Sequence, residues 1–234
     1  LQRLENSLAE IRITNPHNHK AWYSLLTQLI AENEGEDQSI YLQITRGTAP
    51  RDHHFPDQTT PTLFMMSNPL TGTSAEILKT GIAAVTEIDS RWSRCNIKSI
   101  NLLANVLHRQ HALDQGAKES ILIRDSLVTE GAASNLFIVQ HGTILTPPKS
   151  NYLLPGVTRD LVLELAQQHG MACREAEINE SSLQQADEIW VTSSTKEIVP
   201  VTTLNQQPVA DGKPGAITLQ LHRHLQQFKQ QFRS

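Results

Sequence analysis

Apolar positions recur at helical spacing near both ends of the chain. Leu1, Leu4, Leu8 and Ile11 would share one face of a helix, so the pattern predicts a helix over residues 1–12. The same periodicity predicts further helices at 19–32, at 74–80, at about 100–114, from Thr158 to Gly170, and along the C-terminal QLHRHLQQFKQQF.

Between these helices the sequence alternates between apolar and polar residues, as is typical of strands. Helices and strands follow one another without strict βαβ alternation, which favours an α+β fold over a doubly wound parallel sheet. The predicted strands are Ile40–Thr45, TLFMM (62–66), 82–88, one in ESILIRDSLVTEG, one in NLFIVQHGTILTP, Glu188–Thr192, and a hairpin over Val199–Val209.

Turn-forming residues interrupt the pattern at SNPLTGT, residues 67–73. This segment is the candidate domain boundary. It predicts a small α/β domain over residues 1–73 and a larger domain over residues 74–234.

Polar residues and glycines mark where several helices should begin and end. Thr73 with Glu76 fits a capping box, and Ser99 and Thr158 are placed to cap the helices that follow them. The predicted helix stops are Gly81, Gly116 and Gly170.

Composition and charge narrow the function classes. The 234 residues carry 20 Lys and Arg against 24 Asp and Glu, a formal net charge of −4, which argues against a dedicated nucleic-acid binder. No apolar run approaches the ~18 residues of a membrane span. Cys95 and Cys173 form neither a disulfide framework nor a metal motif, so the chain is expected to be cytoplasmic.

Lys98 has the least ordinary setting of the eight lysines. It lies between Ile97 and Ile100, just before a predicted helix. Apolar neighbours and a helix N-terminus both disfavour a charged ammonium, and a neutral amine can form an imine with a carbonyl compound. The alternative is a lysine whose charged end extends to the surface.

Further segments could bind the two parts of a phosphorylated ring compound, one part being an anion and the other a ring. In LLPGVTRDLVLEL, the helix predicted at Thr158 would offer backbone amides to a phosphate, and the hydroxyls of TSST (192–195) could complete that site. Glu130, in VTEGAASN, is either an exposed turn carboxylate or a buried partner for a protonated ring nitrogen.

The loop RGTAPRDHH, residues 46–54, concentrates positive and titratable groups. Arg51 and His53 are two residues apart, so in an extended segment they would point the same way and could bind a carboxylate. Asp52, His53 and His54 raise the possibility of a metal, but no further ligands at metal-site spacing accompany them, so no metal is expected.

The order of these segments resembles the class IV aminotransferases, the fold-type IV enzymes of pyridoxal 5′-phosphate (PLP), and within them the D-amino acid group. The resemblance runs nearly end to end. It is carried by RGTAPRDHHFP, KSINLL, VTEGAASN, LLPGVTRD, VTSSTKEI and DGKPG.

The resemblance implies a role for each candidate residue. Lys98 would hold PLP as a Schiff base and then move the substrate proton. Glu130 would pair with the pyridine nitrogen, and Leu154 would pack on the ring face. The residues implied for the phosphate and the cofactor surroundings are Val157, Thr158, Ser193, Ser194 and Arg91.

The resemblance also implies an assembly and a substrate site. Arg51 and His53 match the family's trap for the substrate α-carboxylate, and in the D-amino acid enzymes that loop reaches the neighbouring subunit. An active homodimer acting on amino acids and 2-oxo acids is therefore expected, with no nucleic-acid or membrane partner.

The chain departs from the family pattern in two places. Ala132 and Ala133 stand where a serine-rich run is usual, which removes donors near the cofactor. The family's upstream segment, with a phosphate-binding arginine and a trap tyrosine, has no counterpart here, so the small domain is expected to lack its N-terminal part.

Four functions follow from the resemblance. The leading one is D-amino acid transamination, D-alanine with 2-oxoglutarate giving pyruvate and D-glutamate. The alternatives are aminodeoxychorismate lyase, which eliminates pyruvate, then a branched-chain L-amino acid aminotransferase, and a non-catalytic protein of the same fold. The pair Arg51 and His53 favours D-amino acid transamination over these alternatives.

Overall fold

The computed structural model describes residues 1–232 and divides the chain into two compact units, Leu1–Thr71 and a second that begins at Gly72. The helices are α1 Gln2–Glu10, α2 His19–Ala31, α3 Ala75–Thr80, α4 Leu103–Asp114, α5 Val157–Gln168, α6 Glu180–Gln184 and α7 Ala216–Gln230. The strands are β1 Gln38–Thr45, β2 Thr62–Pro69, β3 Ile82–Ile88, β4 Glu119–Arg124, β5 Leu127–Gly131, β6 Asn135–Gln140, β7 Thr143–Thr146, β8 Cys173–Glu175, β9 Glu188–Ser193, β10 Glu197–Leu204 and β11 Gln207–Pro208.

The first unit combines two helices with an antiparallel pair of strands. β1 and β2 pair along their whole length, from Gln38 opposite Pro69 to Thr45 opposite Thr62. Trp22 of α2 is fully buried, and its Nε1 donates to Asn15 Oδ1 at 2.9 Å. A buried indole needs such a partner for its N–H, so this bond fixes α2 within the unit.

The second unit is built on one mixed sheet in the order β5-β4-β3-β10-β9-β6-β7-β8, with β11 beside β10. β3 is parallel to β4 and to β10, β7 is parallel to β8, and the remaining neighbours are antiparallel. This mixture of parallel and antiparallel pairs confirms the α+β prediction.

Two apolar clusters cover the central strands. Leu136 and Ile138 of β6 belong to one cluster, whereas Phe137 and Val139 belong to the other, because successive side chains of a strand point to opposite faces. Phe137 stacks on Trp190 of β9, with ring centroids 5.2 Å apart. The strands that carry the candidate site are thus buried on both faces.

The segments ESILIRDSLVTEG and NLFIVQHGTILTP were each predicted to contain one strand. Each contains two, β4 with β5 and β6 with β7. Asp125 and Ser126 adopt φ of 50° and 65° between β4 and β5, and His141 and Gly142 adopt 50° and 76° between β6 and β7. Two consecutive residues with positive φ make the tight hairpin turn that suits twisted strands. Neither pair is the Asn-Gly that signals such a turn. β8 and α6 were not predicted, since both are short.

Three predicted caps are wrong. Ser74, not Thr73, caps α3, and its Oγ accepts from the Ile77 amide at 3.3 Å. α4 begins after Leu102, and Ser99 Oγ accepts from the nearby Asn101 amide at 3.4 Å rather than from the first turn of the helix. α5 begins after Gly156, so Thr158 lies inside its first turn. The predicted stops at glycines 81, 116 and 170 are confirmed by left-handed φ values.

No helix within residues 1–232 has the length and apolar character to cross a membrane.

Gly81 and Gly116 offer a test of packing at helix ends. Both have left-handed φ, +71° and +73°, but a Cβ at Gly81 would lie 2.4 Å from Thr202 Cγ2, whereas one at Gly116 meets nothing within 4 Å. We expect Gly116→Ala to lower the free energy of unfolding by about 1 kcal/mol through backbone strain. Gly81→Ala should cost about 2–4 kcal/mol, because overpacking adds to that strain. Urea unfolding of both variants measures the difference, and equal losses would contradict the packing argument.

Candidate active site

A buried carboxylate at the end of β5 is the centre of the candidate site. Glu130 is 4% exposed. Its Oε1 accepts from Arg91 Nη1 at 2.5 Å, and its Oε2 accepts from Asn135 Nδ2 at 3.0 Å and from the Leu154 amide at 3.1 Å. Three donors from three separate segments therefore fix the orientation of one side chain, as a positioned functional carboxylate requires.

Arg91 is itself fixed by a second buried carboxylate. Asp89 accepts from Arg91 Nε and Nη2, each at 2.9 Å, which is the bidentate geometry that arginine and carboxylate favour. Arg91 Nη2 also donates to the Tyr152 carbonyl at 2.9 Å, and Arg124 Nη2 lies 3.3 Å from Asp89 Oδ1. This arrangement joins the segment after β3 to β4, β5 and the loop before α5.

The two carboxylates have opposite pKa shifts. Burial acts to raise the pKa of Asp89, but its hydrogen bonds and the charges of Arg91 and Arg124 outweigh burial and lower it. Burial raises the pKa of Glu130 to about 7, even though Arg91 and the Leu154 amide act to lower it. Asp89 is therefore stabilised as the charged partner of Arg91, and Glu130 is a buried acid that a further cationic partner would stabilise in its charged form.

Leu154 is placed beside Glu130 by its backbone. Its amide donates to Glu130, and its carbonyl accepts from Asn135 Nδ2 at 2.8 Å. The side-chain amide of Asn135 thus bridges the carboxylate and the loop, and these two bonds set the position of Leu154. A leucine held in this way is suited to pack on the face of a ring that Glu130 binds.

The N-terminus of α5 is closely packed and lacks a side-chain cap among the described residues. Gly156 precedes the helix, and a Cβ there would lie 2.0 Å from Asn135 Oδ1, so only glycine fits. The first-turn amides of Val157 and Thr158 are among those that a helix leaves without internal partners. Such a helix start can bind a phosphate.

A buried hydroxyl lies close to this helix start. Thr192 of β9 is paired in register with Asn135 of β6, and its Oγ1 is buried with no hydrogen-bond partner within residues 1–232. Ser193 ends β9, and its Oγ accepts from the Lys196 amide at 3.2 Å; Ser194 follows in the turn. The orphaned hydroxyl, the uncapped helix and the buried Glu130 together fit a phosphorylated pyridine.

Lys98 lies in the irregular segment between β3 and α4. Its side chain is exposed although its neighbour Ile97 is only 6% exposed. Of the two interpretations of Lys98, this exposure agrees with a lysine whose charged end extends to the surface, and Ile100 is itself 69% exposed. The segment is nevertheless tied to the loop of Leu154, because the Cys95 amide donates to the Asn151 carbonyl at 2.7 Å.

Arg51 and His53 lie in the loop between β1 and β2, in the first unit. Both are exposed. Asp52 binds within the loop: its Oδ1 accepts from the His53 amide at 2.6 Å, and its Oδ2 lies 3.2 Å from His54 Nδ1. In the part of the chain that the structure describes, no three His, Cys, Asp or Glu side chains are grouped to hold a metal.

The structure brings together most of the predicted residues of the second unit and adds others. Asp89 and Asn135 were not predicted, although both fix Glu130 or its partner. Asp89 stands two residues before Arg91 at the end of a strand, a spacing that could have indicated an ion pair. Asn135 carried no signal, because only the pairing of β6 with β9 places it near α5. Thr192 belongs to the TSST segment, whose hydroxyls were predicted to complete the phosphate site.

Comparisons with known proteins agree with this geometry. Residues 1–204 match the family model described as Amino-transferase class IV. A D-alanine aminotransferase of Bacillus licheniformis is 39% identical over 226 residues, which span 97% of this chain and 80% of the relative.

Solved structures have the same fold. The branched-chain amino acid aminotransferase of Escherichia coli matches with a TM-score of 0.85 and 28% identity, over 95% of this chain and 75% of that one. A putative 4-amino-4-deoxychorismate lyase of Legionella pneumophila matches with a TM-score of 0.84 over 97% of this chain and 83% of that one, but at 24% identity it supports the fold alone.

The family match covers most of the chain, and the site residues of the second unit fit the cofactor that this family uses. The resemblance found in the sequence is thereby confirmed. The chain belongs to the class IV aminotransferases, which are PLP-dependent enzymes.

Proposed function

We propose that the protein transfers the amino group of D-alanine to 2-oxoglutarate, giving pyruvate and D-glutamate. The observation that carries the proposal is the 39% identity with a D-alanine aminotransferase along nearly the whole chain. The loop with Arg51 and His53 supports it, because this pair of residues is what the D-amino acid enzymes are expected to place on the substrate carboxylate.

PLP supplies an electron sink that stabilises negative charge at the substrate Cα. We assign Lys98 to its covalent attachment, Glu130 to its ring nitrogen and Leu154 to its ring face. The amides of Val157 and Thr158 and the hydroxyls of Ser193 and Ser194 would hold its phosphate. Arg91 keeps Glu130 in place rather than touching the ring.

Glu130 would hold a proton at the ring nitrogen. Its buried carboxylate already has three hydrogen-bond donors but carries an unfavourable desolvation cost, as its raised pKa shows. A protonated ring nitrogen beside it removes that cost, because an opposite charge stabilises the ionised carboxylate. Glu130 would then stay charged and would keep the proton at that nitrogen.

Lys98 would move the proton at the substrate Cα. Its exposed amine would act as the general base that takes the proton from the substrate Cα and later returns it. The irregular segment that carries Lys98 is held by the Cys95 backbone bond, which limits where the amine can reach.

Arg51 and His53 would bind the substrate α-carboxylate in the active site of a neighbouring subunit. A guanidinium with an imidazole offers several N–H donors to one carboxylate. A homodimer is supported by an apolar face on α4, where Leu103, Val106 and Leu107 are 72%, 59% and 61% exposed. Grouped apolar side chains of this kind mark interaction surfaces.

Removal of the attachment lysine tests the assignment. We expect Lys98→Ala to lower transamination of D-alanine by at least about 10²–10⁴, because the attachment group and the base are lost together. Lys79→Ala, at another exposed lysine, is the control and should retain activity. Pyruvate formed in the presence of 2-oxoglutarate is the readout, and substantial turnover by Lys98→Ala would exclude this mechanism.

The same assay separates transamination from the lyase alternative. A transaminase releases pyruvate from D-alanine only when a 2-oxo acid accepts the amino group. Release of pyruvate from aminodeoxychorismate without any acceptor would instead assign the lyase activity.

The raised pKa of Glu130 predicts a pH dependence of stability without cofactor. In the folded state Glu130 keeps its proton up to a pKa of about 7, whereas in the unfolded chain it loses the proton near its ordinary pKa of 4.5. Stability contributed by this proton is present below pH 4.5 and is lost as the pH rises towards 7.

We therefore expect cofactor-free protein to lose stability relative to Glu130→Gln between pH 5 and 7. The loss should be on the order of 1–3 kcal/mol, because the pKa of Glu130 rises from 4.5 in the unfolded chain to about 7 in the folded one, and each pKa unit corresponds to about 1.4 kcal/mol. Urea unfolding at several pH values measures the difference. Other titrating groups are common to both proteins, so parallel stability curves would show that Glu130 has an ordinary pKa.

A further inference from the structure

One side chain at the start of the β1–β2 loop contacts two separate parts of the first unit. Arg46 Nη1 donates to the Arg12 carbonyl at 2.9 Å, and its Nη2 donates to the Ile11 carbonyl. Ile11 and Arg12 form the end of α1, where Arg12 has a left-handed φ of 53°. The guanidinium thus satisfies two carbonyls that a helix end leaves without internal donors.

The same guanidinium also contacts the far part of the loop. It lies 3.8 Å from the centroid of the Phe55 ring, while the guanidinium of Arg12 is 6.0 Å away. Phe55 is 51% exposed, so burial in a core does not fix its ring. Stacking on a flat cation whose own position is set by two hydrogen bonds does so instead.

The base of the loop is closed by backbone packing as well. Gly47 has φ of +110°, and a Cβ there would lie 2.2 Å from the Thr60 carbonyl oxygen. The chain that leaves β1 and the chain that returns to β2 therefore run against each other. The residues that connect Arg46 to Phe55 form a loop held at both ends, and this loop presents Arg51 and His53.

The shape of the guanidinium matters more than its charge in this arrangement. Two of its N–H groups donate to carbonyls while its carbon Cζ lies over the Phe55 ring. A lysine ammonium can donate to a carbonyl but has no flat face and no fixed fork of donors. A charge-preserving substitution should therefore release the loop.

We propose that Arg46 is a positioning residue that holds the β1–β2 loop in the form that binds the substrate carboxylate. In this role Arg46 does not itself contact the substrate. It acts through Phe55 and the end of α1 on where Arg51 and His53 lie. The inference rests on the proposed function of Arg51 and His53, and its test is designed to separate the two.

The experiment compares steady-state constants of the PLP-loaded enzyme with its variants. For Arg46→Lys and Phe55→Leu we expect the KM for D-alanine and for 2-oxoglutarate to rise about tenfold, with kcat within about twofold of the parent. Arg12→Lys is the matched control: its carbonyl bond is a backbone contact and its side chain lies farther from the ring, so KM should stay within about twofold.

KM distinguishes positioning from a general effect on folding. It does not depend on how much of the enzyme is active, so a purely structural Arg46 would lower the yield or the apparent kcat and leave KM unchanged. That result in Arg46→Lys would overturn the proposal. The spectrum of bound PLP should be the same in all variants, because none of these residues belongs to the second unit.

Arg51→Lys separates this inference from the proposed function. If Arg51→Lys leaves KM unchanged, the carboxylate role of the loop is wrong. If Arg51→Lys raises KM while Arg46→Lys and Phe55→Leu do not, the loop role stands and the positioning role of Arg46 is wrong. In the double variant Arg46→Lys/Arg51→Lys, the two effects should combine to less than their product, since both act on one contact.

Discussion

The buried ion network of Asp89, Arg91 and Glu130 is the interaction on which the candidate site depends. Two carboxylates and one guanidinium are removed from water, which is costly unless every charge is paired and hydrogen-bonded. Arg91 donates two hydrogen bonds to Asp89 in bidentate geometry. The side-chain amide of Asn135 and the backbone amide of Leu154 donate to Glu130. The result is a carboxylate that is fixed in place and still favours one more positive partner.

That network also explains why distant segments converge. Arg91 reaches the loop before α5 through the Tyr152 carbonyl, and Glu130 reaches it through the Leu154 amide. Asn135 joins the same loop to β6, next to the uncapped start of α5. One set of hydrogen bonds thus places the groups assigned to the ring and to the phosphate relative to each other.

Much of this could be predicted from the sequence. Periodicity was sufficient for the long helices and for β3, and the ordered motifs were sufficient for the family. Local pattern indicated the hydroxyls of residues 192–195 but not Asn135, because the role of Asn135 follows from strand pairing across the sheet. It left two interpretations of Lys98 open, and the exposure of the neighbouring Ile100 agrees with the one in which the lysine reaches the surface. Helix starts were misplaced by one to three residues where a glycine or a leucine, not a hydroxyl, precedes the helix.

We propose that this site binds PLP and reacts with D-amino acids. The most direct measurement is the visible absorption spectrum of the PLP-loaded protein before and after addition of D-alanine or L-alanine. We predict a band from lysine-bound cofactor that D-alanine bleaches and L-alanine does not. A band that neither amino acid changes, or one that only L-alanine bleaches, would contradict D-amino acid transamination, and absence of any band would contradict the assignment of the cofactor site.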